Sequence, residues 1–116
     1  MHRLQNAHIG VSQGEHVLFS DFVDDGPMWT GTGPRAHRRP VSFNTRFVAP
    51  PAVHVGLSMW DIDNGQNQRV DIAADEITED GFVLVFKTWG DSRVARVRAS
   101  WMAIGSLPHD DDWALY

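Results

Sequence analysis

Short runs of alternating apolar and polar residues, separated by turn-forming residues, restrict the fold of this chain more than any other feature. In Ala52–Met59, apolar side chains occupy every second position, which is typical of a strand with one buried face. The nearby segment Asp63–Asn67 contains an Asn-Gly pair, a strong signal for a β-hairpin. No long stretch places apolar residues at the spacing of an amphipathic helix. The pattern therefore predicts an all-β fold, either a sandwich or a barrel.

The alternation and the turn residues divide the chain into about six short strands. We predict strands at Leu4–Val11, Val41–Phe47, Ala52–Met59, Arg69–Ala74, Phe82–Trp89 and Arg93–Ile104, with a weaker strand signal at His16–Phe22. The segment Asp24–Pro40 is rich in Asp, Gly, Pro and Arg, and this composition predicts a long, loop-rich connection. Ser106–Tyr116 is predicted to be a surface tail held by its aromatic residues. Since the chain has 116 residues, we expect a single domain over residues 1–116.

The strand predicted at Phe82–Trp89 is apolar on both faces. One face carries Phe82, Leu84 and Phe86, and the other carries Val83, Val85 and Trp89. In a two-layer domain only one face of a strand can meet the core, so the second face needs another partner. A neighbouring copy of the chain is the simplest partner, and the pattern therefore predicts an oligomer.

Composition excludes several classes of protein. The net charge of −5 argues against nucleic-acid binding, which needs an excess of Lys and Arg on one face, and the local basic stretch Arg35–Arg39 is interpreted as a solvated loop. The absence of cysteine excludes disulfides and thiol chemistry. No apolar run is long enough to span a bilayer, so we predict no membrane insertion. Met1–Asn6 lacks the apolar stretch of a signal peptide, so a secreted or cell-surface location would need another export route.

Metal binding and catalysis have little support in the sequence. Asp61–Gly65 resembles the start of a calcium-binding EF-hand loop, but Gly65 comes one place early and Ile72 stands where a bidentate Glu is needed. The six histidines show no ligand spacing. The chain has no nucleophile elbow, no phosphate-binding loop and no evident base–nucleophile pair. We therefore predict no metal, no cofactor and no enzymatic activity.

A series of residues from about Val41 to Ile104 matches one known family without gaps. The matching residues are Val41-Ser42-Phe43, Phe47, Pro50-Pro51-Ala52-Val53, Asp61, Gln66-Asn67-Gln68-Arg69-Val70, Gly81-Phe82, Thr88-Trp89 and Ser100-Trp101-Met102. On these residues the chain resembles the H-type lectins, which include invertebrate agglutinins specific for N-acetylgalactosamine and the C-terminal domain of discoidins. The resemblance implies a six-stranded antiparallel β-sandwich that forms trimers, with sugar sites between neighbouring subunits.

The resemblance implies roles for Arg69 and Trp89 in sugar binding. An arginine at the position of Arg69 donates hydrogen bonds to sugar hydroxyls, and its planar group of donors suits that task. A tryptophan at the position of Trp89 stacks against the apolar face of the sugar ring. Each residue also has a plainer interpretation: Arg69 in an interface ion pair, for instance with Asp71, and Trp89 in the core. Strand parity places Trp89 opposite the face of Leu84, which favours the site.

The chain departs from the family's agglutinins at three positions. Gly90 stands where they have a sugar-binding His, and Ala95 replaces an aromatic Tyr. The loop that supplies a Gly and an Asp corresponds to Gly31-Thr32-Gly33, which carries no Asp and is expected to reach the site of an adjoining subunit. The candidates to replace the missing acid or its contacts are Asp91, Asp25 and Arg93. We thus expect a carbohydrate site formed by Arg69, Trp89, Gly31, Thr32, Gly33, Gly90 and Asp91.

Two functions remain open at this point. The first is a carbohydrate-binding lectin or cell-adhesion domain, acting as a homotrimer or as a hexamer of paired trimers, whose glycan partner is of the galactose or N-acetylgalactosamine type. The second is a trimerising structural or tail-fibre-like adhesion module whose sugar pocket has decayed. Arg69 and Trp89 favour the lectin, whereas Gly90 and Ala95 favour the structural module.

Overall fold

The computed structural model describes residues 1–4 and 8–108 and contains six strands and two one-turn helices. The strands are β1 (Ile9–Ser20), β2 (Arg35–Ser42), β3 (Ala52–Ile62), β4 (Val70–Asp75), β5 (Gly81–Thr88) and β6 (Val94–Ser106), and the helices are α1 (Asp21–Asp24) and α2 (Pro27–Thr30). All strand pairs are antiparallel, and they form two three-stranded sheets with the orders β1–β6–β3 and β2–β5–β4. The predicted six-stranded antiparallel β-sandwich is confirmed.

The core lies between the two sheets and is formed mainly by their central strands, β5 and β6. The inward side chains of these strands are almost completely buried: Phe82, Leu84, Phe86, Val97, Ala99 and Ala103. Phe43 and Phe47, in the loop after β2, complete the core and meet edge to face with their ring centroids 5.1 Å apart. Burying one such large apolar side chain contributes about 1.5–3 kcal/mol, so the central strands provide a large share of the stability.

A partly buried hydrogen bond joins the two strands of the β1–β6 pair. The indole Nε1 of Trp101 donates to Nε2 of His16 at 3.1 Å. Burial, and then the charge of Arg39, lowers the pKa of His16, which keeps the imidazole neutral and able to accept this bond. Gly14 stands opposite Trp101, and a Cβ at Gly14 would lie 2.8 Å from the indole nitrogen. Glycine is therefore required at this point of β1.

The prediction of two separate strands in the first part of the chain is wrong. One long strand, β1, runs through Gly10 and Gly14 and joins the two segments predicted at Leu4–Val11 and His16–Phe22; residues 5–7 lie outside the described part. Both glycines belong to the strand because side chains approach them closely: Trp101 lies against Gly14, and the side chain of Leu107 would lie 2.8 Å from a Cβ at Gly10. Glycine within a strand often marks such an approach.

The strand predicted at Val41–Phe47 is also wrong, and so is part of the loop-rich segment Asp24–Pro40. The observed strand is β2, Arg35–Ser42, which includes the last six residues of that segment. Its inward positions are Arg35, His37, Arg39 and Val41, and only Val41 reaches the buried core. The three polar residues lie on an edge strand, at the margin of the sandwich. Polar inward residues hide the apolar alternation on which the prediction relied, and Pro is tolerated on an edge. The predicted strands from Ala52 onward correspond to β3–β6, with ends shifted by at most three residues.

The outer face of β5 is less exposed than its sequence suggests. Val85 points outward but is only 4% exposed in the single chain. Arg38 of β2 pairs with Asp75 of β4 at 3.6 Å and with Glu76 at 3.0 Å. Because β5 lies between β2 and β4, this arginine side chain passes over the outer face of β5 and covers it with its apolar stem. Val85 alone therefore does not require a partner subunit, and the oligomer stays a prediction.

The end of the described chain is held against its beginning. Leu107, just after β6, donates its N–H to the carbonyl oxygen of His8 at 2.8 Å. The predicted tail starts at Ser106, which is the last residue of β6, and most of that tail, residues 109–116, lies outside the described residues. Among the residues that are described, no helix has the length and apolar character needed to cross a membrane.

Candidate functional site

Arg69 and Trp89 lie side by side at one end of the β2–β5–β4 sheet. Arg69 directly precedes β4 and Trp89 directly follows β5, and the last paired residues of these strands are Val70 and Thr88. Thr88 is buried, and its hydroxyl donates to the carbonyl oxygen of Arg69 at 2.6 Å. The expectation that the two strands bring Arg69 and Trp89 to the same place is met, and the Thr88 bond fixes the backbone between them.

Arg69 forms an ion pair with Asp91 and not with Asp71, so that alternative partner is wrong. Nη1 of Arg69 lies 2.8 Å from Oδ1 of Asp91, and both side chains remain about 40–45% exposed. The amide of Asn67 donates to the same carboxylate at 3.3 and 3.2 Å. Desolvation raises the pKa of Asp91, but the hydrogen bonds from Asn67 and the charge of Arg69 outweigh it and hold the pKa below its usual value. Asp91 is therefore a fixed, ionised and accessible acceptor.

The buried side chain of Ser92 supports the ion pair of Arg69 with Asp91, a role that the sequence does not indicate. Its side chain is fully buried, donates to the carbonyl oxygen of Asn67 and accepts the backbone N–H of Arg69 at 2.8 Å. One hydroxyl thus joins the turn after β5 to the segment before β4. No spacing rule points to such a residue, because its partners are backbone groups that only the folded chain brings together.

Gly90 is the contact between the candidate site and the long loop. Its φ of +67° is a left-handed conformation that favours glycine, and a Cβ there would lie 3.0 Å from Nη1 of Arg69. The carbonyl oxygen of Gly90 accepts the N–H of Gly33 at 2.9 Å. Within the single chain the segment Gly31-Thr32-Gly33 packs beside the site, with Thr32 exposed, and its expected contact with an adjoining subunit stays a prediction.

Arg35 holds this loop in place, in contrast to its interpretation as part of a solvated basic loop. Its guanidinium donates to the carbonyl oxygens of Gly33 at 2.9 Å, Met28 at 3.1 Å and Gly90 at 3.3 Å. Burial lowers the pKa of Arg35. Together with the carbonyl oxygen of Pro27 at 3.4 Å, four carbonyl groups from three segments converge on this side chain, a role that the position of Arg35 in a basic run does not reveal.

Trp89 is an exposed aromatic residue, so its interpretation as a core residue is wrong. It is 43% exposed and lies on the outer side of the sheet, opposite Phe86 and Leu84 in parity. A cleft of about 350 Å³ opens beside it. The residues that line this cleft are Pro34, Arg35, Ala36, Lys87, Thr88 and Trp89. An accessible indole face beside an open cleft has the geometry needed to stack against a flat apolar surface.

The other two residues considered as replacements for the missing acid lie elsewhere. Arg93 points to the opposite side of the turn, where its guanidinium carbon lies 4.2 Å above the ring centre of Trp29 and Nη1 lies 3.3 Å from Asp63. Asp25 ends α1 in a left-handed conformation, with φ of 52°. Of the three candidates, only Asp91 contacts Arg69.

The acidic segment before β4 is occupied by internal contacts. Oδ1 of Asp63 accepts the N–H of Gly65 at 2.9 Å, and Oδ2 pairs with Arg93. Within residues 1–4 and 8–108, no group of three His, Asp or Glu side chains lies close enough together to hold a metal ion. The resemblance to the start of an EF-hand loop is therefore local and has a structural explanation in the turn.

Comparison with known proteins adds a family and several relatives. The family model described as the H-type lectin domain matches residues 38–104. A protein of Fuscovulum blasticum, named ATP synthase subunits region ORF 7, is 59% identical over 109 residues, which is 94% of this chain and 95% of that protein. Discoidin-2 of Dictyostelium discoideum is 34% identical over 84 residues, which is 71% of this chain but only 32% of discoidin-2.

A solved structure agrees with these matches. The structure of recombinant discoidin II from Dictyostelium discoideum superposes with a TM-score of 0.73 at 29% identity, and the alignment covers 90% of this chain and 40% of that one. The present chain therefore spans less than half of discoidin II, and the match concerns one part of that larger protein. The arrangement of strands described above is shared with that part.

Proposed function

The chain belongs to the H-type lectin domain family, and we propose that it is a carbohydrate-binding lectin that binds glycans at the end of the sandwich that carries Arg69 and Trp89. The observation that carries this proposal is the ion pair of Arg69 with Asp91 at 2.8 Å, fixed yet accessible, beside the exposed indole of Trp89. Nothing in this arrangement calls for bond-breaking chemistry, and we infer that the chain is not an enzyme.

The two charged groups have complementary tasks in this proposal. Arg69 retains N–H donors that are not directed at Asp91, and these can bind sugar hydroxyl oxygens. The carboxylate of Asp91 is exposed, and its longer bonds to Asn67, at 3.2–3.5 Å, can be exchanged for bonds from two sugar hydroxyls. Sites that recognise galactose-type sugars commonly contain an acidic group that accepts two hydroxyls. We therefore infer that Asp91 replaces the acid that is missing from Gly31-Thr32-Gly33. Galactose and N-acetylgalactosamine are the expected ligands.

The remaining site residues determine the shape of the proposed sugar site. Trp89 supplies the stacking surface for the apolar side of the sugar ring. Gly90, without a side chain, leaves the space above the guanidinium of Arg69 open. Thr32 offers an exposed hydroxyl next to Gly33 at the rim of this region. A site of this kind is shallow, and one copy would bind weakly.

We propose that the chain acts as a homotrimer, because several weak sites gain useful strength by avidity. With Val85 covered, the apolar surface that favours assembly is a groove of about 360 Å³ between β3 and β4, where Trp60 is 59% exposed. Leu57, Ile62 and Val70 line the same groove. A single chain that leaves a tryptophan open at the edge of its core gains stability when a second copy covers it. Pairing of trimers would give a hexamer.

A glycan array combined with light scattering tests this proposal. Arg69→Ala and Trp89→Ala should abolish detectable glycan binding, since the loss of one polar or stacking contact costs about 1–3 kcal/mol and a weak site has little to spare. Arg46→Ala is a matched control, because Arg46 is exposed and pairs with Asp80 at the opposite end of the sheet. If both site variants bind as the parent does, the site is wrong.

A structural module is the second candidate function, and Gly90 and Ala95 favour it because they remove two of the side chains expected from the agglutinins. In that case the array would show no ligand for the parent protein while light scattering would still give a trimer mass. If Arg69→Ala and Trp89→Ala both lose the trimer, these residues belong to an interface and the structural module gains support. A monomer mass at micromolar concentration would refute the assembly for both functions.

A further inference from the structure

A second cleft opens on the other side of the turn between β5 and β6. Phe22 of α1 and Trp29 of α2 form one side of it, and Asp61, Asp63 and Asn64, at the end of β3 and in the loop that follows, form the other. Its volume is about 480 Å³, which is larger than that of the cleft beside Trp89. None of these side chains takes part in the site around Arg69 and Asp91. We call this opening the second cleft.

The aromatic side of the second cleft is rigid and accessible. Phe22 is 60% exposed, and its ring meets that of Trp29 at right angles with the centroids 5.1 Å apart. Arg93 lies over the ring of Trp29, and its Nε donates to the carbonyl oxygen of the same residue at 3.2 Å. Trp29 is thus held from one side, and it supports Phe22 in turn. An aromatic ring fixed in an exposed position can stack against a ligand at a low cost in conformational entropy.

The polar side of the second cleft is balanced in charge but has free acceptors. Asp61 pairs with Arg96 through Oδ2 at 3.4 Å, and its side chain is 56% exposed, so Oδ1 can accept another hydrogen bond. Asp63 is paired with Arg93. Two carboxylates therefore face two guanidinium groups, and the cleft has no excess charge that would attract an ion. Asn64 adds an exposed amide that can both donate and accept.

An aromatic ring beside carboxylate and amide groups, without net charge, matches a neutral ring that carries hydroxyl groups. The turn between the strands links this cleft to the site of the proposed function, because Asp91 faces Arg69 while Arg93, two residues later, faces Trp29. The backbone positions of these two residues are at most about 7 Å apart, and we take an oligosaccharide of a few residues as the ligand that can follow the surface from one cleft to the other. We propose that the second cleft binds an inner sugar residue of an oligosaccharide whose terminal residue occupies the Arg69 site.

This proposal rests on the proposed function and makes the preferred ligand an oligosaccharide. The test is isothermal titration of the full chain with galactose and with a linear tetrasaccharide that ends in galactose. Phe22→Ser removes the stacking ring, and Val23→Ser is the matched control because Val23 is an even more exposed neighbour outside the cleft. Phe22→Ser should weaken tetrasaccharide binding roughly 5- to 10-fold and leave galactose binding unchanged, and Val23→Ser should change neither.

Each outcome decides between the two proposals. Equal affinity of the parent for galactose and the tetrasaccharide, or an unchanged tetrasaccharide affinity in Phe22→Ser, overturns the second cleft but leaves the first site intact. If Arg69→Ala leaves galactose binding unchanged, the proposed site fails, whereas a loss in Phe22→Ser would still locate a sugar in the second cleft. No binding of either sugar by the parent overturns both. A change of oligomer mass in Phe22→Ser assigns that ring to a subunit interface instead.

Discussion

Ser92→Ala tests whether one buried hydroxyl organises the glycan site. The Ser92 side chain is fully buried and makes two hydrogen bonds, one to the carbonyl oxygen of Asn67 and one from the N–H of Arg69. Each bond contributes about 1 kcal/mol net, and a buried group left unpaired costs about 1–3 kcal/mol. Because Asn67 is exposed and Arg69 is only half-buried, water can replace part of the loss. We therefore expect a destabilisation of about 2 kcal/mol.

The same change should weaken sugar binding, because Ser92 fixes the backbone of both residues that hold Asp91. Urea denaturation followed by tryptophan fluorescence measures the stability, at one protein concentration since association adds to the apparent value. Isothermal titration with galactose measures the affinity. Ser42→Ala is the control, because Ser42 is an exposed residue on the edge strand β2. A Ser92→Ala protein with a stability within about 0.5 kcal/mol of the parent and an unchanged affinity would refute this reasoning.

Three further predictions follow from single residues. Gly90→Ala should cost about 1–2 kcal/mol in thermal unfolding, because its φ is left-handed, and should reduce galactose affinity by crowding Arg69; an unchanged melting temperature would contradict the strain argument. The fold lowers the pKa of His16, so His16 stabilises the protein most above the unfolded-chain value of 6.5 and loses that contribution as the pH falls through and below it. His16→Gln, which can still accept the hydrogen bond from Trp101, should lose less stability than the parent when urea titrations are repeated at acid pH. A pH profile of stability identical to that of the parent would exclude His16 as the source of the decline. Val85→Asp should unfold the chain or cost several kcal/mol because it buries a charge, and a soluble, parent-like variant in circular dichroism would show that Val85 is accessible.

The sequence predicts the fold best where one face of a strand is apolar. β3 to β6 follow that rule. The Asn-Gly pair at Asn64 lies in the connection between β3 and β4, but these strands belong to different sheets, so the β-hairpin that the pair indicates does not form. β2 does not follow it, because Arg35 and Arg39 point inward at the open margin of the sandwich and not into the apolar centre. β1 was divided in two because Gly14 indicates a turn by its propensity but serves here as the space for Trp101.

The sequence predicts the exposed side chains of the candidate site but not the residues that hold them in place. Arg69, Trp89 and Asp91 could be proposed from the family resemblance and from strand parity. Ser92 and Arg35 could not, because both bind backbone carbonyl groups that come from distant parts of the chain. Hydrogen bonds to backbone depend on where the chain passes and leave no pattern in residue type. The ion pairs of Arg38 with Asp75 and Glu76 could not be predicted either, because they depend on which strands flank β5.

The pairing of β1 with β6 also has a consequence for how the protein folds. β6 is the centre of its sheet and the last strand within the described residues, whereas β1 is the first of them. During synthesis, neither β1 nor β3 can join its sheet until the residues of β6 have left the ribosome. Pairings between such distant segments make folding slow, on the order of milliseconds to seconds. Until that moment the inner face of the β2–β5–β4 sheet has no second sheet to cover it, so the growing chain is most prone to aggregation just before β6 appears.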